Sequence, residues 1–247
     1  KGGSFTSKVE GYETCLVPAT GSIDVNVAGQ RFEAVGKRMH IWQGEPEGVY
    51  VPVGTQVTFT CVSDAAEIFV SGAKHDEVYE PFVVREADID PVQYGSDDTK
   101  THRKIKHILG KAQAGKVGRL LVSELFTVGA GGWSGFPPHK HDTDALPTET
   151  RHDEVYNFRF NPEHGFGAQF LTQEGEDMGD VYHIRNSSTI QIEKGYHPCV
   201  AGPGYEMYYF TILGGLSQRP LHQNFHPEHV YQLDTIPGMK DMINKFK

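Results

Sequence analysis

The sequence has few of the features that mark several large protein classes. Its 247 residues include only three cysteines, Cys15, Cys61 and Cys199, an odd number with no paired spacing. They provide neither a disulfide framework nor a CxxC-type zinc site, and they point to a reducing, cytoplasmic compartment. Apolar runs are only a few residues long and mean hydropathy is -0.45, so no membrane span is expected. No charged-then-apolar pattern opens the sequence, and no secretory signal is expected. Positive charge is also scarce: 23 Lys and Arg stand against 32 Asp and Glu, a net charge of -9. That balance argues against nucleic acid or anionic membrane as a partner. It also gives no long-range pull on an anionic metabolite, so a substrate carboxylate must be held by a metal or by local Arg or Lys.

What the sequence does contain is a succession of short strand-forming segments separated by turn formers. In the first half these are Thr14–Val17, Ile23–Val27, Gln30–Ala34, Gly48–Pro52, Gln56–Val62 and Glu67–Ser71. Between them lie Pro18-Ala19-Thr20-Gly21, Ala28-Gly29 and Pro52-Val53-Gly54-Thr55, the last a Pro-X-Gly turn. Long amphipathic helical patterns are missing here, and residues 1–12 are polar and Gly-rich. The stretch from Gly110 to Gly118 has linker composition and precedes a strong strand, Arg119–Val128. The second half repeats the plan with Glu154–Phe160, Gly167–Thr172, Val181–Ile184, Thr189–Ile192, His197–Ala201 and Met207–Leu213. This spacing predicts an all-β chain of two tandem barrels, residues 1–110 and 119–247. A tail after Gly215 holds His222, His226 and His229, read as solvated, with a short helix from Met239.

The chemistry concentrates in Phe136-Pro137-Pro138-His139-Lys140-His141. Two histidines at i and i+2 of an extended segment point to the same side, and the two prolines stiffen the approach. On the next strand, alternation puts His152, Glu154, Tyr156 and Phe158 on one face. A carboxylate sharing a face with aromatic rings is costly unless a cation pairs with it. His197 follows in a tight turn, Glu193-Lys194-Gly195-Tyr196-His197-Pro198. His139, His141, Glu154 and His197 together form a divalent-metal site with coordination positions left open. Only the second barrel contains such a set. Cys199 is read as a core residue, and His102 and His107 as part of a solvated or inter-domain face.

A glycine followed by His-x-His and a downstream Glu, closed by Gly-x-His, resembles the cupin motifs. Gly132, His139, His141, Glu154, Gly195 and His197 carry the likeness. The gap from His141 to Glu154 is longer than usual, which leaves Glu149 as a rival ligand, and Gly195 is one residue nearer His197. More specifically, Trp133–Asp142, Glu154–Pro162, Gly195-Tyr196-His197-Pro198, Gly202-Pro203-Gly204-Tyr205 and Met207-Tyr208-Tyr209 resemble the 5-deoxy-glucuronate isomerase family of myo-inositol catabolism. Weaker similarity includes Glu45–Pro52, so the likeness runs from about Glu13 to Gly215. The related 4-deoxy-uronate ketol-isomerases share the tandem-cupin plan and metal set.

The resemblance implies a metal-dependent aldose–ketose isomerase acting on a small sugar acid, 5-deoxy-glucuronate. Zinc is the expectation by analogy, and manganese, iron and nickel suit the same ligands. Such chemistry needs a group to move a proton between adjacent carbons. Glu149, just outside the metal set, is the candidate base, and Tyr156 is a candidate substrate contact. Either Tyr208 or Tyr209 should face the pocket, and Arg159 and Arg185 are candidate carboxylate partners. The alternatives are an iron-dependent oxygenase of the same fold and a non-catalytic sugar-binding bicupin. Barrel edges need covering, so a homo-oligomer is expected.

Overall fold

The computed structural model describes residues 1–246. It is almost entirely sheet, and its residues group into two compact units that interleave along the chain. The first comprises Lys1–Asp90 with Lys106–Val122, and the second comprises Pro91–Ile105 with the chain from Ser123 onward. Among the described residues no helix is long and apolar enough to cross a membrane. All three cysteines are free thiols.

The first unit contains β1 (Ser4–Ser7), β2 (Tyr12–Thr20), β3 (Ile23–Val27), β4 (Gln30–Val35), β5 (Gly48–Val51), β6 (Val57–Cys61), β7 (Glu67–Lys74) and β8 (Phe82–Val84). They form two antiparallel sheets, ordered β1-β6-β3-β4 and β7-β2-β5-β8. The alternation of β3 shows why: Ile23, Val25 and Val27 are buried while Asn26 is exposed, and period two gives one apolar face. That face joins Leu16, Val35, Val49 and Val51 in one core cluster. The turn after β5 closes through Thr55 N–H donating to the Pro52 carbonyl at 3.1 Å, as its Pro-X-Gly sequence predicts.

Glu13, fully buried on β2, secures the segment after Gly110 within this unit. Its carboxylate accepts from the Gly118, Arg119 and Leu120 amides at 2.9, 2.5 and 2.7 Å. The Tyr50 hydroxyl adds a fourth donor at 2.6 Å. Glu13→Ala would orphan all four, and each buried unsatisfied donor costs about 1–3 kcal/mol. Urea denaturation should therefore show a loss of about 3 kcal/mol or more for Glu13→Ala, against about 1 kcal/mol for Tyr50→Phe, which removes one donor only. Equal losses would rule out this anchoring role.

The second unit carries β9 (Val92–Tyr94), the start of β10 (Arg103–Leu109) and the end of β11 (Leu120–Thr127). After these come β12 (Trp133–Ser134), β13 (His139–Lys140), β14 (His152–Asn161), β15 (Phe166–Leu171), β16 (Asp180–Arg185), β17 (Thr189–Ile192), β18 (Cys199–Ala201), β19 (Glu206–Gly215), β20 (Asn224–Phe225), α1 (Gln232–Thr235) and α2 (Met239–Phe246). A six-stranded sheet, β17-β14-β19-β11-β10-β9, accompanies a four-stranded one, β12-β18-β15-β16. Phe158, Phe160, Met207 and Tyr209 from the first share a core cluster with Ile184, Cys199 and Ala201 from the second, and Met239 and Met242 of α2 join it.

Two stretches differ from their sequence reading. Of the two readings of the segment around His102 and His107, a solvated or an inter-domain face, the first is excluded: Arg103, Ile105, Lys106, Ile108 and Leu109 are all buried in β10. Of its cations, Lys106 is satisfied from within, donating to the Gly44 carbonyl at 2.6 Å and pairing with Glu45 at 3.2 Å. Burial pushes the His107 imidazole down to about 4. Nor is the tail simply solvated, because β20 pairs with β13 in the register His139↔Phe225, Lys140↔Asn224.

Candidate active site

Backbone geometry brings the ligand segments close together. Gly135 has φ +64°, and a Cβ there would lie 3.0 Å from the His197 carbonyl oxygen. Gly195 has φ +89°, and its Cβ would come within 2.7 Å of the Thr172 carbonyl. Both positions favour glycine because of the left-handed backbone and the close approach together. The turn they shape carries His197 to the start of β13.

Along β13 and the residue that follows it, alternation separates two functions. His139 and His141 turn to one side, and Lys140 turns to the other. The imidazole of His139 lies 4.9 Å from that of His197, centroid to centroid, and His141 lies at the same distance. Glu154 reaches the group from β14, whose burial follows the expected face: His152, Glu154, Tyr156, Phe158 and Phe160 are buried, and Asp153 is exposed.

The second ring nitrogen of every histidine is fixed by main chain. The Nδ1 atoms of His139, His141 and His197 face the carbonyls of Pro137, His152 and Gly195 at 3.0, 3.2 and 2.8 Å. A carbonyl requires Nδ1 to carry the proton, which leaves Nε2 as the lone-pair atom in a neutral ring. Yet Nε2 of His141 and Nε2 of His197 stand 3.0 and 3.2 Å from the same atom, Glu154 Oε2. Three acceptors converge, and only a proton or a cation between them removes the conflict. The donor set of His141, Glu154 and His197 lies within 4.8 Å, fully buried, with His139 beside it. These residues fit a divalent metal ion.

Burial, with His197 and His141 nearby, holds His139 well below the usual imidazole range. Burial also pushes against a charged His141, but the Glu154 carboxylate outweighs it and holds the ring above its ordinary value. Burial would raise Glu154, whereas the close approach of the His141 and His197 rings holds it well below the usual carboxylate range. The Thr211 hydroxyl donates to its other oxygen at 2.7 Å.

A cavity within the second unit opens beside this group, with about 500 Å³ free of atoms, counting open solvent at its mouth, and a narrow interior. Its polar lining is His139, Glu154, Tyr156, Thr211, Tyr209, Gln223, Tyr94 and Arg103. Burial, then the neighbouring Glu154 charge, raises the Tyr156 phenol far above its usual range. Of the two adjacent tyrosines, Tyr209 faces the cavity, whereas the Tyr208 hydroxyl donates to Glu124 at 2.9 Å.

Glu149 is not brought to the cavity. Its oxygens accept from Lys140 Nζ at 2.9 and 3.1 Å, the Asp142 and Thr143 amides at 2.8 and 2.9 Å, and Asn224 Nδ2 at 3.0 Å. Arg159 bonds Asn157 and the Phe158 carbonyl on the other face of β14, and Arg185 is exposed. Cys199 is fully buried, its thiol pushed up to about 12 by that burial. Another His/Glu group, His226, Glu228 and His229, also clusters, but Glu228 is exposed. Sequence reading missed Thr211, Tyr94 and Arg103. Thr211 was within reach of the alternation rule, since it faces the same side as Tyr209 and pairs across the sheet with Tyr156.

Two β-sheet units in tandem, one enclosing a His/Glu centre at a cavity, define a bicupin. Oxalate decarboxylase from Bacillus subtilis has this fold, with a TM-score of 0.61 at 12% identity over 95% of this chain and 72% of that one. The chain belongs to the KduI/IolB family, whose model matches residues 1–232. It is 32% identical to a 5-deoxy-glucuronate isomerase of Geobacillus kaustophilus, across 95% of this chain and 83% of that protein. The counterpart in Bacillus subtilis strain 168 is 28% identical, across 94% and 84%. Among solved structures, an IolB-like protein from Salmonella typhimurium LT2 has a TM-score of 0.86 at 28% identity, covering 93% and 85%. The chain is an isomerase enzyme.

Proposed function

We propose that the chain is a divalent-metal-dependent aldose–ketose isomerase that converts 5-deoxy-glucuronate to 5-dehydro-2-deoxy-gluconate in myo-inositol degradation. The observation that carries the metal dependence is the meeting of two histidine Nε2 atoms on one Glu154 oxygen, with every Nδ1 committed to a carbonyl. His139, His141, Glu154 and His197 would hold the ion, zinc being the expected one. When bound, it would supply Lewis-acid polarisation of a vicinal carbonyl and hydroxyl.

The remaining work falls to the protein. Burial and the neighbouring Glu154 charge favour the protonated form of Tyr156, whose phenol lines the cavity wall beside Glu154. It is placed to donate a hydrogen bond to the substrate oxygen that becomes negative in the enediolate. Glu149 serves instead to hold Lys140 and the turn that follows His141. The apolar remainder of the lining, including Phe136, Leu213 and Phe225, keeps water from the reacting carbons.

Anaerobic NMR of the metal-replete protein with 5-deoxy-glucuronate should show conversion to the keto acid. Chelation should slow it by about a hundredfold or more, the scale on which single electrostatic stabilisers are lost, and zinc should restore it. Turnover unchanged after complete metal removal would end the metal-dependent reading, and no conversion by replete protein would end the substrate assignment.

A further inference from the structure

Arg103 is a charge that the cavity leaves unbalanced. The residue is 5% exposed, in a wall otherwise built from groups such as Ile105, Leu125 and Met239. Its Nη2 donates to the Tyr209 hydroxyl at 3.0 Å, and its guanidinium lies 5.4 Å from the centre of the Tyr94 ring. Its Nε has no hydrogen-bond partner, and neither does the nearby buried Tyr94 hydroxyl. Among the described residues no carboxylate pairs with Arg103. The other buried cations of β10 and β13 are treated differently: Lys106 meets Glu45, and Lys140 meets Glu149 and Asp142. Burying a charge without a counter-charge is costly, and Arg103 lines the same cavity as His139 and Glu154.

We propose that Arg103, assisted by the Tyr94 hydroxyl, seats the carboxylate of the substrate. The planar guanidinium suits a carboxylate in a way that a point charge does not. The anion supplies the missing counter-charge and gives both orphaned donors a partner. Its other end, the aldehyde and adjacent hydroxyl, then lies toward His139 and Glu154. The site thus selects an acyclic sugar acid over a neutral aldose of the same length, and it orients the acid with its carbonyl at the centre. This assignment rests on the isomerase reading for the identity of the reacting end.

The test is calorimetric binding of 5-deoxy-glucuronate and of 5-deoxy-glucose, its uncharged counterpart, with anaerobic turnover followed in parallel. Wild type should bind the acid about a hundredfold more tightly than the neutral sugar, as one charge-assisted pair allows. Arg103→Met should bind the two alike, and Tyr94→Phe, which keeps the ring, should narrow the preference about fivefold. A wild type that binds both sugars equally overturns the proposal, and that outcome does not depend on whether Arg103→Met folds. An Arg103→Met protein that weakens both sugars together while keeping the preference also overturns it, since that would mark a structural role. Acid-selective, Arg103-dependent binding without turnover would uphold the carboxylate seat and remove the isomerase reading. Turnover with the preference intact in Arg103→Met would do the reverse.

Discussion

Glu154→Gln should separate the fold from the chemistry: the protein folds, but metal and turnover are lost together. Glu154 Oε2 is the one atom that both His141 Nε2 and His197 Nε2 approach, while Oε1 takes the Thr211 hydroxyl. Glutamine preserves the shape and the Thr211 bond but removes the charge that holds a cation. Losing one such charge in a buried site is worth several kcal/mol. Turnover should fall about a thousandfold or more, and the metal content after dialysis should drop below stoichiometric. Far-UV circular dichroism should be unchanged. A Glu154→Gln protein that keeps its metal and most of its activity would sink the proposed centre.

The second large effect concerns Glu149, for which sequence and structure offer different roles. A general base could be replaced with little change in stability. The observed carboxylate is instead saturated by Lys140, two amides of the turn after His141, and Asn224. Glu149→Ala leaves the buried Lys140 ammonium with Asp142 and the exposed Glu174 as its carboxylates, and it orphans the two turn amides and the Asn224 amide, a loss of about 3 kcal/mol. The unfolding midpoint should fall accordingly, with Lys140→Met showing a loss of similar size. In a double-mutant cycle, Lys140→Met with Glu149→Leu should cost less than the sum of the single changes, because neither member of this pair is left behind. If Glu149→Ala lost only turnover and retained its midpoint, the carboxylate would have to act on substrate rather than on the loop.

The parts of this arrangement legible in the sequence were those governed by local rules. Period-two alternation placed His152, Glu154, Tyr156 and Phe158 on the buried face of β14, and placed His139 and His141 on one side of the segment that begins with β13. Ile23–Val27 and Thr189–Ile192 were legible to the residue, because β-branched runs are bounded there by turn formers. The illegible parts depend on what a side chain meets across the sheet. Arg103 and Lys106 resemble solvated residues in the sequence, and only the pairing of β10 with its neighbours shows that both are buried. The Glu149–Lys140 pair was hidden for the same reason, since alternation tells which way Lys140 points but not what waits there. Interleaving of the two units likewise has no local signature, because the residues of Pro91–Ile105 look no different from those around them.

The pairing of β20 with β13 has a consequence for how the protein is made. The residues that would bind the ion, from His139 to His197, all leave the ribosome before Asn224 and Phe225 do. The nascent chain therefore possesses a full ligand set while the strand that flanks His139, and the Asn224 amide that steadies Glu149, are still inside the exit tunnel. Under the proposed metal dependence, loading would have an early window, when the centre is open on that side, and the window would close as β20 zips into place.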